Sequence, residues 1–180
     1  MKSKILIYIL TIVFVVMFSG VNAQQEKYME IRKTPSEITD WTNLEVFFKT
    51  KSIDSVQSKL DSLSQSYMSL GKWEIFLYLN NQVAQYLFRR GFYEEGREIA
   101  INAGHKVKYQ MDTCNLEYIY GLQLMAESYY NSKLRKHEQA LPYLLRAEKL
   151  LQSIDIPSMK ACNDYYMGSS YIEIGDLEKG

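Results

Sequence analysis

The sequence predicts an all-α fold, a stack of antiparallel helical hairpins of about seven helices after a signal peptide, and three observations carry that expectation. Only 3 Pro and 9 Gly punctuate 180 residues, too few for a many-turned all-β chain. Apolar residues recur at steps of three and four over long stretches, which gathers them on one side of a helix. Small residues also return at a fixed interval, since Ala84, Ala126 and Gly168 are equally spaced along the chain. With 47% apolar and 23% charged residues the chain has enough to bury for an ordinary globular core, and disordered or collagen-like classes are excluded.

The first residues belong to targeting rather than to the fold. Met1-Lys2-Ser3-Lys4 is a basic start, Ile5 to Phe18 is an apolar run interrupted by one Thr, and Ser19-Gly20-Val21-Asn22-Ala23 offers small residues for cleavage. Residues 1–23 are therefore expected to be a secretory signal peptide, with a mature chain starting at Gln24 and an exported, periplasmic or cell-envelope location. The apolar run is shorter than the roughly 18 to 20 residues a spanning helix needs, so no membrane insertion is expected once it is removed. Without Lys2 and Lys4 the mature chain holds 19 basic and 21 acidic residues, a balance that recruits neither nucleic acid nor anionic lipid.

Residues 24–33 are polar and read as a flexible lead. Thr34-Pro35-Ser36-Glu37 then has the pattern of a helix start, with Thr as cap, Pro in the first turn and Glu reaching back, and Ile38, Trp41, Leu44 and Phe47 or Phe48 share a face. A second helix is expected from about Ser52 to Leu70 on the stripe Ile53, Val56, Leu60, Leu63, Tyr67 and Leu70, closed by Gly71 as a left-handed cap. Together 34–71 form a degenerate capping hairpin.

From Lys72 the chain repeats over 72–113, 114–156 and an incomplete 157–180. Val83-Ala84 is followed by Leu87 and Gly91, Met125-Ala126 by Tyr129, and Met167-Gly168 by Tyr171 and Gly175. Gly96, Ala100 and Ala103 recur as Ala140, Leu144 and Ala147. Small side chains at Ala84, Ala126, Gly168, Ala103 and Ala147 allow close helix approach, Gly91, Gly96, Ala140 and Gly175 are likewise expected to serve repeat packing, and larger residues such as Tyr129 and Tyr171 fill the space between hairpins.

These residues resemble the tetratricopeptide (TPR) pattern, most closely in Tyr166-Met167-Gly168-Ser169-Ser170-Tyr171-Ile172-Glu173-Ile174-Gly175. The resemblance covers Lys72 to Gly180 and, weakly, Pro35 to Leu70, and implies a right-handed superhelical solenoid. Its period exceeds the family's usual ~34 residues; the extra length is expected to add about one turn to the helices and two residues to the loop near Lys133 to Lys136. Gly180 falls where the second helix of the third unit would begin, so the helix from about Ser158 to Ile174 is expected to want a partner, and the 180 residues to be the amino-terminal part of a longer protein.

The resemblance further implies a concave groove lined by the first helix of each hairpin. Carried over residue by residue, its lining is Tyr78, Asn81, Gln85, Phe88 and Arg89, then Tyr120, Gln123, Glu127 and Tyr130, then Tyr165 and Ser169. Tyrosine joins apolar area to a hydroxyl at little entropic loss, which suits a peptide or protein partner; for each tyrosine the alternative is a place in the inter-helix core. The family's carboxylate-gripping clamp is absent, since Asn81, Gln85, Leu124, Cys162 and Tyr166 occupy its places.

Catalytic and metal chemistry find no support. His105 and His137 lack a second ligand at helical spacing, and neither Cys114 nor Cys162 has a basic or histidine neighbour to activate it. No nucleophile turn or phosphate loop occurs, so no cofactor, no metal and no enzyme activity is expected. A disulfide is chemically possible after export, but the two cysteines are placed at different heights on adjacent hairpins, beyond the ~7 Å bridging limit. The expected function is an exported protein-interaction module, either the sensor region of a membrane signalling protein or transcriptional regulator or a free periplasmic scaffold or assembly factor, with an unrecognised enzyme as the remote alternative.

Overall fold

The computed structural model describes residues 34–131 and 135–176. The segment expected to be a signal peptide (1–23), the expected lead (24–33), residues 132–134 and residues 177–180 lie outside them. The described residues form seven helices and no strand: α1 Trp41–Thr50, α2 Ile53–Ser69, α3 Trp73–Arg89, α4 Tyr93–Val107, α5 Leu116–Asn131, α6 His137–Leu151 and α7 Pro157–Glu173.

The helix expected at Thr34 starts later. Ile38 N–H bonds the Pro35 carbonyl at 3.0 Å, closing a turn, and the helix begins only at Trp41. Tertiary contact outweighs the local capping pattern here: the turn buries Ile38 in the cluster of Val56, Leu79 and Leu87 and sets Thr34 Oγ1 3.0 Å from Tyr78 Oη. α2 keeps its expected limits, and Ser52 Oγ accepts the Ser55 N–H at its start.

Glycines at positive φ end α2, α3 and α7. At Gly71 (φ +67°), Gly91 (φ +83°) and Gly175 (φ +84°) the following amide turns back, Lys72 to the Tyr67 carbonyl, Phe92 to Leu87 and Asp176 to Tyr171, each at 2.9 Å. This closes three otherwise unpaired carbonyls in the Schellman arrangement, whose left-handed residue glycine adopts without a Cβ clash. Before α6, Lys136 N–H reaches the Tyr129 carbonyl at 3.1 Å past Arg135 at φ +42°. The loop lengthening expected near Lys133 falls largely outside the described residues.

From α2 onward each helix packs on the next, and α1, α3, α5 and α7 also pack on one another in order. α3 and α5 are consequently enclosed. Every residue from Ile75 to Phe88 is buried, as is every residue from Glu117 to Ala126. The core runs through the stack as three clusters: Phe48, Val56, Leu79 and Val83 beneath α1 and α2; Phe76, Phe88, Ala103, Ile119 and Leu124 across α3 to α5; and Ala126, Ala140, Leu144 and Tyr166 at the α5–α7 end. Enclosed helices need apolar residues on all faces, and the polar ones they carry must find partners inside.

Candidate binding surface

Small residues set how closely the helices approach. Ala84 and Ala126 are fully buried, as are Ala103, Ala140 and Ala147, whereas Gly168, their counterpart on α7, is only half-buried. At Gly96 a Cβ would stand 2.5 Å from Phe88 Cε1 and 2.8 Å from the Ala84 carbonyl oxygen, so α3 and α4 meet there without room for a methyl. Gly91 and Gly175 were expected to serve packing, but a Cβ on either would meet nothing within 4 Å; their role is the left-handed turn. Tyr129 and Tyr171 are half-buried, and Tyr129 stacks on Tyr143 at 5.9 Å beneath the Arg97 guanidinium.

The polar residues on the enclosed helices form a repeated device. Asn81 Nδ2 on α3 donates to the Glu117 carbonyl on α5 at 2.8 Å, and Gln123 Nε2 on α5 donates to the Met159 carbonyl on α7 at 2.9 Å. The two donors, and likewise the two acceptors, are separated by the same interval as Ala84 and Ala126. Gly121 leaves space for the first of these amides, since a Cβ there would come 3.1 Å from Asn81 Oδ1.

Several expected groove residues are therefore relocated. Asn81 and Gln123 bind alternate helices together, and Phe88 packs inside its own hairpin beneath Gly96 and against Tyr93. Asn81 and Gln123 are internal because the α3–α5 and α5–α7 contacts bury the faces on which they stand, and Phe88 because α4 covers it. Tyr78, Gln85 and Tyr120 are buried as well, Tyr78 edge-on to Trp41 at 5.4 Å, while Arg89 is exposed at the end of α3. Near Tyr78, α1 contributes contacts the sequence did not signal: Tyr86 Oη donates to Glu45 at 2.9 Å, and Lys49 pairs with the same carboxylate at 2.6 Å. The Lys49 hydrogen bond, partly opposed by burial, holds Glu45 below the usual carboxylate range.

The remaining residues gather at the α5–α7 end. Glu127, Tyr130, Tyr165 and Ser169 are all half-buried, around Tyr166 and Cys162. Tyr130 meets Tyr166 edge-on at 5.2 Å, and Tyr165 meets Tyr166 at 5.6 Å. Burial, with lesser contributions from Tyr130 and other neighbours, raises the Tyr165 phenol, and burial raises Tyr166 further, so both stay neutral at physiological pH. Burial, reinforced by the Glu127 charge, pushes the Cys162 thiol up to about 12. A protonated thiol and neutral phenols make a poor nucleophilic site but a good adhesive one, with ring area and hydroxyls side by side.

Cys114 does not reach a helix. It sits in the α4–α5 connection with its N–H on Asp112 Oδ1, and both cysteines are free thiols. Among the described residues, no three His, Cys, Asp or Glu side chains converge to hold a metal ion, and no helix is long and apolar enough to cross a membrane. Gly121, absent from the expected packing positions, carried a signal of its own, since an isolated Gly inside a helical pattern is a sign of close packing. No known protein family, no curated protein and no solved structure matches the chain.

Proposed function

We propose that this chain is an exported helical solenoid of TPR type that holds a polypeptide partner on the tyrosine-rich surface between α5 and α7. The observation that carries the reading is the recurrence, one repeat later, of the same amide-to-carbonyl bond between alternate helices at Asn81 and Gln123. A bond repeated in register means that successive hairpins are added by one packing rule, and stacks built so present extended surfaces for binding chains. Glu127, Tyr130, Tyr165 and Ser169 supply the contact, with Arg89 at the rim of the earlier unit. Export rests on the basic start and apolar run of residues 1–23; amino-terminal sequencing of the secreted product is expected to begin at Gln24.

The test is a random-peptide display screen against residues 24–180. Selected peptides are expected to compete with one another and to lose about tenfold in affinity on Tyr165→Ala, the scale of a truncated aromatic anchor. Tyr109→Ala, an 84% exposed tyrosine in the α4–α5 connection, is expected to leave binding unchanged. Peptides that respond equally to both changes, or to neither, would refute the assignment of the surface.

A further inference from the structure

His137 stands where the preceding hairpin has a tyrosine. It opens α6 as Tyr93 opens α4, and each ring rests on the aromatic near the end of the helix before it. Tyr93 lies against Phe88 with centroids 5.8 Å apart, and His137 meets Tyr130 edge-on at 5.0 Å. Phe88 and Tyr130 are themselves equivalent positions of successive repeats, so the site beside them is built for an aromatic ring. Histidine keeps the ring and adds two nitrogens. It is 7% exposed, and neither nitrogen has a hydrogen-bond partner.

The surroundings disfavour a proton. The ring faces Tyr130 of α5; Arg135 and Lys136 before α6, Glu138 and Gln139 of α6, and Glu173 and Ile174 at the end of α7 line the open cavity beside it. Glu173 would welcome a cation, but Arg135 repels one, and the amino-terminal end of α6 carries a positive partial charge. Burial dominates and holds the imidazole below its ordinary value near 6.5.

We propose that His137 is an acid-sensitive latch: as a neutral ring it seals the α5–α6 turn against the end of α7, and on protonation it leaves the cavity for water and loosens α7 from the stack. Because the folded state binds the proton less readily than the unfolded state, the seal is complete above pH ~6.5 and is lost as pH falls from there to the lower folded value. This does not depend on what the tyrosine surface binds.

The chain has only two histidines, which makes the test direct. In a His105→Gln variant the one remaining histidine Hε1 resonance in proton NMR reports His137, and its midpoint is expected below 6.5. Amide exchange of Tyr165 to Ser170, corrected for the intrinsic pH dependence, is expected to quicken severalfold between pH 7.5 and 5.5 in the parent. It is expected to hold steady in His137→Tyr, which restores the residue of the other hairpin, and in His137→Phe. A His137 midpoint at or above 6.5 overturns the proposal. So does exchange that quickens equally in the parent and in whichever aromatic variant folds, or that does not quicken in the parent at all.

Discussion

Substituting Gly96 by Ala tests the contact that sets the α3–α4 spacing. A Cβ on Gly96 would lie 2.5 Å and 2.7 Å from two ring carbons of Phe88 and 2.8 Å from the Ala84 carbonyl oxygen. Carbon atoms rest at roughly 3.5 to 4.0 Å, so all three contacts are deep in repulsion. Phe88 is buried against Tyr93 and the Ala84 oxygen belongs to the interior of α3, so relief requires the helices to part. Overpacking of this kind costs about 1 to 3 kcal/mol, and a backbone partner places it at the upper end. Against this, Ala is favoured over Gly within a helix by about 1 kcal/mol. The expected net loss is about 2 kcal/mol. In urea, with a slope of roughly 1 to 3 kcal/mol per molar, the midpoint should fall by about 1 M. Gly104→Ala is the control on the same helix, for its Cβ would meet only Met125 Cε, at 3.2 Å, the movable end of a flexible side chain. There the helical preference should prevail, leaving the midpoint equal or slightly raised. A Gly96→Ala chain as stable as its parent would show that the two helices do not approach as described. Equal losses in both variants would mean that the cost is not set by the Phe88 and Ala84 contacts.

Two further outcomes are expected. Under native conditions Ellman's reagent should label Cys114 well before Cys162, whose half-buried thiol is pushed up to about 12, and denaturation without reductant should release two thiols in all; a count of zero in the monomer would refute the placement of the cysteines. Glu45 is held below the usual carboxylate range by Lys49 and Tyr86, so its contribution is present above the unfolded carboxylate value of about 4.3 and is lost as pH falls through the lower folded one. Glu45→Gln should flatten the decline in urea midpoint below pH ~4.3 relative to the parent, and an unchanged slope would count against the Glu45 contacts.

The sequence by itself determined the class of this fold and much of its punctuation. Stripes such as Val56-Leu60 and the small residues Ala84, Ala126, Ala103 and Ala147 recorded which helical positions must be buried, because periodicity is a local property of the chain. Gly71 marked a helix end for a similarly local reason, the left-handed residue that closes it, whereas Gly91 and Gly175, expected to serve packing, close α3 and α7 in the same way. Where α1 begins was not local: Thr34 and Pro35 carry the signs of a helix start, yet burial of Ile38 and the bond to Tyr78 hold them in a turn. The candidate surface divided along the same line. Glu127, Tyr130, Tyr165 and Ser169 were found together, but Asn81 and Gln123, whose polarity suggested a face open to a partner, spend their amides on carbonyls 36 residues further along. Only tertiary structure could decide that, because whether a polar side chain faces water or a neighbouring backbone depends on the register between helices far apart in sequence.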